Sequence, residues 1–295
     1  MPELPDVTVY IESLTRVAAG QTLERVRIGN PFLLRTFDPP IDEVEGKTVR
    51  AFHRSGKRIL WELEGGLWLV VHLMIAGRFR WRERGAPLQK KLAVAAFDFP
   101  VGTLLLTEAG TQKRAALHVF ADRESALALD RGGAEVLGIA LEDFARALRR
   151  ENHTLKRTLT DPRIFSGIGN AYSDEILHHA RLSPILLTSK MTDEEIERLH
   201  QSTQDVLRTW IERLRTEVGD GFPEKVTAFH PTMAVHGKFG KPCPDCGAPV
   251  QRIQYASNET NYCARCQTGG RVLADRSLSR LLKGDWPRTI EELEG

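Results

Sequence analysis

Long apolar runs are missing from this 295-residue chain. The longest, Leu67 to Ile75, is interrupted by His72 and is far shorter than the roughly 20 residues that span a bilayer, so no membrane span is expected. No basic segment followed by an apolar one opens the N-terminus, so a secretory leader is not expected and the cytoplasm is the expected location. Charge of one sign is not in excess either. Lys and Arg number 41 against 39 Asp and Glu, a net +2, so total charge alone does not announce a polyanion partner. Cysteine is absent before position 243, and all four cysteines fall by position 266. Internal repeats and low-complexity segments are lacking too.

What is present describes a soluble globular protein: 41% apolar and 27% charged residues, in a length that suggests two domains and a third small module. Residues 5–19 predict a helix, with Pro5 in its first turn, Val7, Tyr10, Ile11, Leu14 and Val17 on one stripe, and Gly20 as the stop. From about Leu23 to Val119 alternating patterns predict many short strands, hence a β-sandwich or barrel-like sheet. After about residue 135 the chain reads as helical, with short helices over 141–149 and 154–160. A long one covers 192–218, opened by a Thr192–Glu195 capping box. Gly219 to Thr232 reads as a linker, and the tail after Gly270 as room for one short helix.

Three constellations carry chemistry. Cys243-Pro-Asp-Cys246 and Cys263-Ala-Arg-Cys266 are paired knuckles whose four thiolates suit one structural Zn2+, with space between them for a hairpin. The surrounding residues 230–271 are locally basic, which weakly favours a nucleic-acid partner and equally suits a solvated face. The segment Phe165-Ser166-Gly167-Ile168-Gly169-Asn170 is either a phosphate seat opening a helix, with Asn170 as its cap, or a plain helix–helix turn. At the N-terminus, removal of Met1 would make Pro2 a secondary amine with a pKa of about 8, able to attack an electrophilic carbon. Glu3 stands beside it to move protons, and the helix dipole disfavours a protonated amine there. The plain alternative is that Pro2 and Pro5 only punctuate a helix start. Lys57, after Gly56, and Arg78, after Gly77, are candidate phosphate cations, or ordinary surface residues. His72, His178 and His179 read as core or surface residues rather than metal ligands.

Taken in order, Met1-Pro2-Glu3-Leu4-Pro5, Gly56-Lys57, His72-Leu73, the Gly167 to Leu177 segment and the four-cysteine finger resemble the formamidopyrimidine-DNA glycosylase/endonuclease VIII family. The resemblance covers about residues 1–268. It implies a multi-domain α+β protein with a catalytic β-sandwich and flanking helices over 1–135, and a helical helix–two-turn–helix domain over 136–232. A four-cysteine zinc-finger β-hairpin over 233–270 and a tail over 271–295 complete it, with DNA in the cleft between domains. It further implies a base-excision-repair glycosylase with AP-lyase activity on oxidised bases and abasic sites, acting by β,δ-elimination on damaged DNA, as a monomer.

In that reading Pro2 is the nucleophile, Glu3 the general acid/base and Lys57 a catalytic phosphate binder. Asp6, Ile75, Arg78, Lys113, Arg114, Gly169, Asn170 and Asn258 contact DNA, and Cys243, Cys246, Cys263 and Cys266 hold the zinc. The flipped-out nucleotide is the substrate, because its C1′ cannot be reached inside the duplex. The chain departs from the family pattern in four places. Ser257-Asn258-Glu259-Thr260 stands where relatives often carry an Arg, Ile75 where many have Met, and Asp6 where Glu is commoner. The loop from Glu108 to Ala116 lacks the Arg-Phe wedge of 8-oxoguanine-directed members. These departures leave lesion choice open and define a second reading, a non-catalytic relative that binds damaged or abasic DNA without excision. A proline-based enzyme acting on small molecules, as in tautomerases, leaves the finger and the glycine hairpin unexplained.

Overall fold

The structure, a computed structural model, describes residues 1–89, 92–255, 258–274 and 288–294. Two compact units divide the chain: Met1–Arg131 with Trp210–Thr227, and Gly132–Thr209 with Ala228–Gly295. The cuts at 131 and 227 lie near the expected boundaries at 135 and 232, while residues 210–227 group with the first unit and no cut falls near 270.

In the first unit, helix α1 (Leu4–Ala18) matches the predicted helix to within a residue. Short strands β1 (Thr22–Leu23) and β2 (Arg25–Ile28) follow, then β3 (Lys47–Ser55), β4 (Arg58–Leu63), β5 (Trp68–His72), β6 (Gly77–Arg82), β7 (Ala93–Phe99), β8 (Gly102–Glu108) and β9 (Ala116–Phe120). They form a five-stranded sheet in the order β1-β3-β4-β5-β9 and a four-stranded sheet in the order β2-β7-β8-β6. The predicted sandwich is therefore observed. Its inward faces meet at Trp61 of β4, whose ring lies 4.8 Å from Phe97 and 6.4 Å from Phe79, both on the other sheet. Tyr10 of α1 meets Phe79 edge-on at 5.7 Å, so the aromatic core also anchors the helix that carries the chain's first residues. Helix α2 (Arg123–Leu127) closes the strand series, capped by Asp122, which accepts from the Ser125 N–H.

The return of residues 210–227 to this unit has a packing cause. Phe222 lies against Tyr10 and Trp81, Arg82 makes paired bonds to Glu224, and Arg215 pairs with Glu12.

In the second unit, β10 (Ala134–Glu135) pairs in parallel with β11 (Phe165–Ser166). Around this pair are helices α3 (Leu141–Arg149), α4 (Leu155–Thr160), α5 (Asn170–His179) and the start of α6 (Asp193–Val218). The Thr192–Glu195 capping box is observed, each backbone N–H reaching the other's side chain. Strands β12 (Gln251–Tyr255) and β13 (Asn258–Tyr262) form the expected hairpin, followed by α7 (Ala264–Thr268). The tail folds back on this finger. Arg271 bridges Thr289, the Ile290 N–H donates to the Gly270 carbonyl, and the Ile290 side chain is fully buried beside Leu273 and Tyr262. The tail's expected short helix is one turn, α8 (Glu291–Glu294), while residues 275–287 lie outside the described residues.

Trp61 is fully buried where the two sheets meet. Trp61→Ala is expected to destabilise the protein by about 3–5 kcal/mol through lost transfer energy and a residual cavity. Guanidinium unfolding followed by circular dichroism reads the loss as a lower midpoint.

Candidate active site and zinc centre

The chain begins at the positive end of α1. Glu3 is the N-cap, and its backbone N–H donates to the Asp6 carboxylate at 2.8 Å, one half of a reciprocal capping box. Leu4 is thus the first helical residue and Pro5 the second, where neither missing nor unpaired N–H groups cost a helical bond. Pro2, Glu3 and Asp6 are all buried. Burial holds the N-terminal amine below its usual pKa. Glu3 and Asp6 oppose that shift and Arg78 and Lys57 reinforce it, so these five groups share one electrostatic neighbourhood. Burial also pushes Asp6 up to about 7, despite the hydrogen bond from Glu3. An amine whose pKa is lowered, beside two buried carboxyl groups, suits nucleophilic attack and proton transfer.

Lys57 occupies the two-residue turn between β3 and β4, where Ser55 pairs with Arg58. Gly56 opens that turn at φ +59°, the left-handed value a tight hairpin places there. Arg78 is less open than expected. Its guanidinium donates to the carbonyls of Val226, Ile75 and Gly77, so it braces the turn after β5 as well as facing the amine. That turn is tight because a Cβ on Gly77 would lie 2.2 Å from the Leu73 carbonyl oxygen. It lifts Ile75 into solvent, 59% exposed. Met74 takes a left-handed φ of +52° there, and its sulfur faces His72 Nδ1. Burial, with Arg58 and Lys57 nearby, pushes His72 down to about 4, so it is neutral at physiological pH. On the next loop Glu108 is buried and accepts from the backbone N–H groups of Arg114 and Ala115. Lys113 folds back to the Glu108 carbonyl and Arg114 reaches Gln112 at 2.6 Å.

The second unit gathers a separate set. Gly169 is the N-cap of α5 and Asn170 its first helical residue, so the expected cap role of Asn170 is corrected. The Asn170 amide instead donates to the Glu259 carbonyl at 2.8 Å, tying the helix start to the finger hairpin. The Asn258 side chain lies outside the described residues. Glu259, in the departing tip sequence, turns its carboxylate to Asn261 at 2.7 Å and to Arg252 at 3.4 Å.

A buried network beneath these residues was not anticipated. Asp174, fully buried, is met by Lys156, by His236 Nδ1 at 2.7 Å and by the Asn261 N–H. Glu175 accepts three backbone N–H bonds, from Ala234, Val235 and His236. The available signal was the spacing of Asn170, Asp174 and His178, which places three polar side chains on one helix face.

The four cysteine sulfurs lie within 4.8 Å of one another, with Cys243–Cys266 at 3.9 Å and Cys246–Cys263 at 3.4 Å. Tetrahedral zinc with Zn–S bonds of about 2.3 Å separates its sulfurs by about 3.8 Å, so the donor set fits that ion. Gly247, at φ +75°, lets its N–H reach back to the Cys243 carbonyl and shapes the first knuckle. Cys263 caps α7 and accepts from the Cys266 N–H, shaping the second. Burial pushes the Cys263 thiol up to about 11, so thiolates at this position call for a cation's charge.

Family models match the chain in the same order. A formamidopyrimidine-DNA glycosylase N-terminal domain matches residues 1–114, a formamidopyrimidine-DNA glycosylase H2TH domain residues 136–220, and a zinc finger found in FPG and IleRS residues 240–269. The formamidopyrimidine-DNA glycosylase of Thermus thermophilus is 34% identical, over 92% of this chain and 100% of its own length. An uncharacterised formamidopyrimidine-DNA glycosylase-like protein of Mycobacterium tuberculosis is 38% identical, over 51% of this chain and 94% of its own. Among solved structures, the Lactococcus lactis Fpg complex with abasic-site DNA aligns with a TM-score of 0.78 at 25% identity, covering 90% of this chain and 99% of that one. The same enzyme with a Fapy-dG-containing DNA aligns with a TM-score of 0.80, again at 25% identity, covering 90% of this chain and 100% of that one.

The raised Asp6 carboxyl carries a pH dependence. Well below the ordinary value of 3.8 the group is protonated in both folded and unfolded chains. Between the ordinary 3.8 and about 7 the unfolded chain loses its proton while the folded one keeps it. Stability therefore falls as pH rises through that window, and the whole penalty is in place above it. In Asp6→Asn, which keeps an oxygen to accept from Glu3, this fall should vanish. Thermal melts of both proteins from pH 4 to 8 check it, the expected result being a difference in Tm that grows with pH in favour of the variant.

Proposed function

The chain belongs to the formamidopyrimidine-DNA glycosylase family, and we propose that it excises oxidised bases and cuts DNA at abasic sites through a Schiff base on Pro2. The family is one of bifunctional DNA glycosylase/AP lyases of base-excision repair. One observation carries the proposal for this chain: the N-terminal amine sits half-buried just before α1, sharing an electrostatic neighbourhood with Glu3, Asp6, Lys57 and Arg78, with its pKa held down.

With Met1 removed, the Pro2 nitrogen takes the place of that amine. It attacks C1′ of the flipped nucleotide, the damaged base departs as its glycosidic bond breaks, and an iminium joins Pro2 to the sugar. Glu3, at the helix start, delivers and takes up the protons of ring opening and elimination. The iminium withdraws electrons from C1′ and acidifies C2′. Loss of that proton expels the 3′-phosphate, and a second elimination releases the 5′-phosphate. Lys57 supplies a point charge to a backbone phosphate beside the lesion, and Gly169 and Asn170 supply backbone and amide donors to another. Ile75 fills the space the flipped base leaves, and Lys113 and Arg114 approach the opposite strand. Cys243, Cys246, Cys263 and Cys266 hold one zinc ion, which cross-links the finger and has no part in the bond-making steps. The partner is damaged DNA and the acting species a monomer in the cytoplasm. Among the described residues no helix is long and apolar enough to cross a membrane.

Borohydride trapping on an abasic-site oligonucleotide tests the mechanism. The Met-processed, zinc-loaded protein should form a covalent adduct, and Pro2→Gly should lose most of it. Positioned acid–base groups contribute about 10²–10⁴-fold, so Glu3→Gln should slow strand cutting by that order. No adduct from the processed protein, together with retained binding to abasic DNA, would establish the non-catalytic reading instead. For the metal, Cys263→Ser should lose zinc and DNA cleavage together, as metal analysis and a nicking assay would show. Full cleavage by a zinc-free protein would overturn the finger's role.

A further inference from the structure

Helix α5 presents Asn170, Asp174 and His178 at intervals of four residues, hence along one face. The first two are bound to the finger hairpin, at the Glu259 carbonyl and the Asn261 N–H. The third reaches the metal centre. His178 is 4% exposed, and its Nε2 lies 3.3 Å from Cys243 Sγ. The Asp245 carboxylate approaches the same nitrogen only to 3.9 Å, beyond hydrogen-bond length, so the sulfur is its partner. A zinc-bound thiolate carries no proton, so across this contact only the imidazole can donate.

Zinc held by these four thiolates would be a net dianion, and two of its sulfur donors, Cys243 and Cys263, are buried. A buried N–H aimed at one sulfur draws charge off it and fixes its direction. We propose that His178 is an outer-sphere hydrogen-bond donor to the zinc-bound Cys243 thiolate, and that this bond governs how long the finger keeps its metal. His178 is a positioning residue. It belongs to the second unit and the amine to the first, and the inference stands whether or not the chain proves to be a lyase.

The full-length, zinc-loaded protein is compared with His178→Phe, which fills the same space without a donor, and with His178→Gln, which restores an N–H. Zinc release to a chromogenic chelator is followed at fixed pH. Outer-sphere partners of metal ligands are worth about 10–100-fold in metal affinity, so His178→Phe should release zinc faster by that order, and His178→Gln close to the parent rate. Cobalt-substituted proteins supply a readout that packing alone does not move. Losing the N–H···S bond raises the sulfur donor orbital, so the thiolate-to-cobalt charge-transfer band should shift to lower energy in His178→Phe and return in His178→Gln. If His178→Phe does not fold, His178→Leu takes its place and is read in the same way. Parent-like zinc retention by the donor-less variant would overturn the proposal. So would an unshifted cobalt band, or equal acceleration in the Phe and Gln variants.

Discussion

Asp174 has no exposed surface, and the architecture of the second unit follows from having to answer its charge. An isolated carboxylate in such a place would take up a proton or unfold its surroundings. Here Lys156 reaches it from α4, His236 from the segment before the finger and the Asn261 N–H from β13. Lys156 also donates to the Asn170 carbonyl, and Asn261 accepts from the Gly237 N–H while bonding the Glu259 carboxylate. Removing one partner of such a group costs about 3–5 kcal/mol, because the others are left buried and unanswered. The finger is therefore no loosely tethered module: its hairpin, its entry segment and α5 share one set of satisfied charges. This is the physical reason why residues 228–295 group with the helices rather than forming a compact unit of their own.

The same requirement operates at the other helix start. Glu3 and Asp6 satisfy the first turn of α1 reciprocally, and Tyr10, packed on Phe79, fixes the helix to the sandwich. The chain terminus is consequently held by covalent distance from two anchored points, which limits how far its amine can wander. Fixing a nucleophile in this way replaces entropy that a free amine would lose on attack. Burial lowers the pKa of the amine and raises that of Asp6, so both shifts at this site share one cause.

Local features were legible in the sequence and non-local ones were not. The stripe of α1, the alternation of the strands, the Thr192–Glu195 box and both knuckles depend on residues within about five positions of one another. All are found where the pattern placed them. The cap of α5 was misassigned because Asn170 is a good cap by type, yet its amide is drawn away by Glu259, 89 positions later. Nothing near Arg78 in sequence announces the Val226 carbonyl that its guanidinium meets. The fold-back of the tail was equally invisible: among the described residues it rests on Val272, Leu273 and Ile290 and on backbone bonds between Gly270–Val272 and Arg288–Ile290, too few and too far apart in sequence to make a periodic signal.

The altered finger tip can be weighed in these terms. A carboxylate facing a phosphate about 4 Å away costs only about 1 kcal/mol in water, and more as the surroundings become drier. Glu259 does not present a bare carboxylate: Asn261 donates to one oxygen and Arg252 approaches the other, while Arg252 lies 4.2 Å from the centre of the Phe239 ring. The repulsion is thereby largely answered within the hairpin. What the tip lacks is one arginine's counterion release, worth about 0.9 in the salt slope for duplex DNA. In the lyase reading proposed above that is a loss of binding rather than of bond-breaking chemistry, because the proposed reacting groups, the amine, Glu3 and Lys57, all belong to the first unit and the tip to the second. The departure therefore bears on how firmly the protein would hold DNA, and leaves the proposed reacting groups intact.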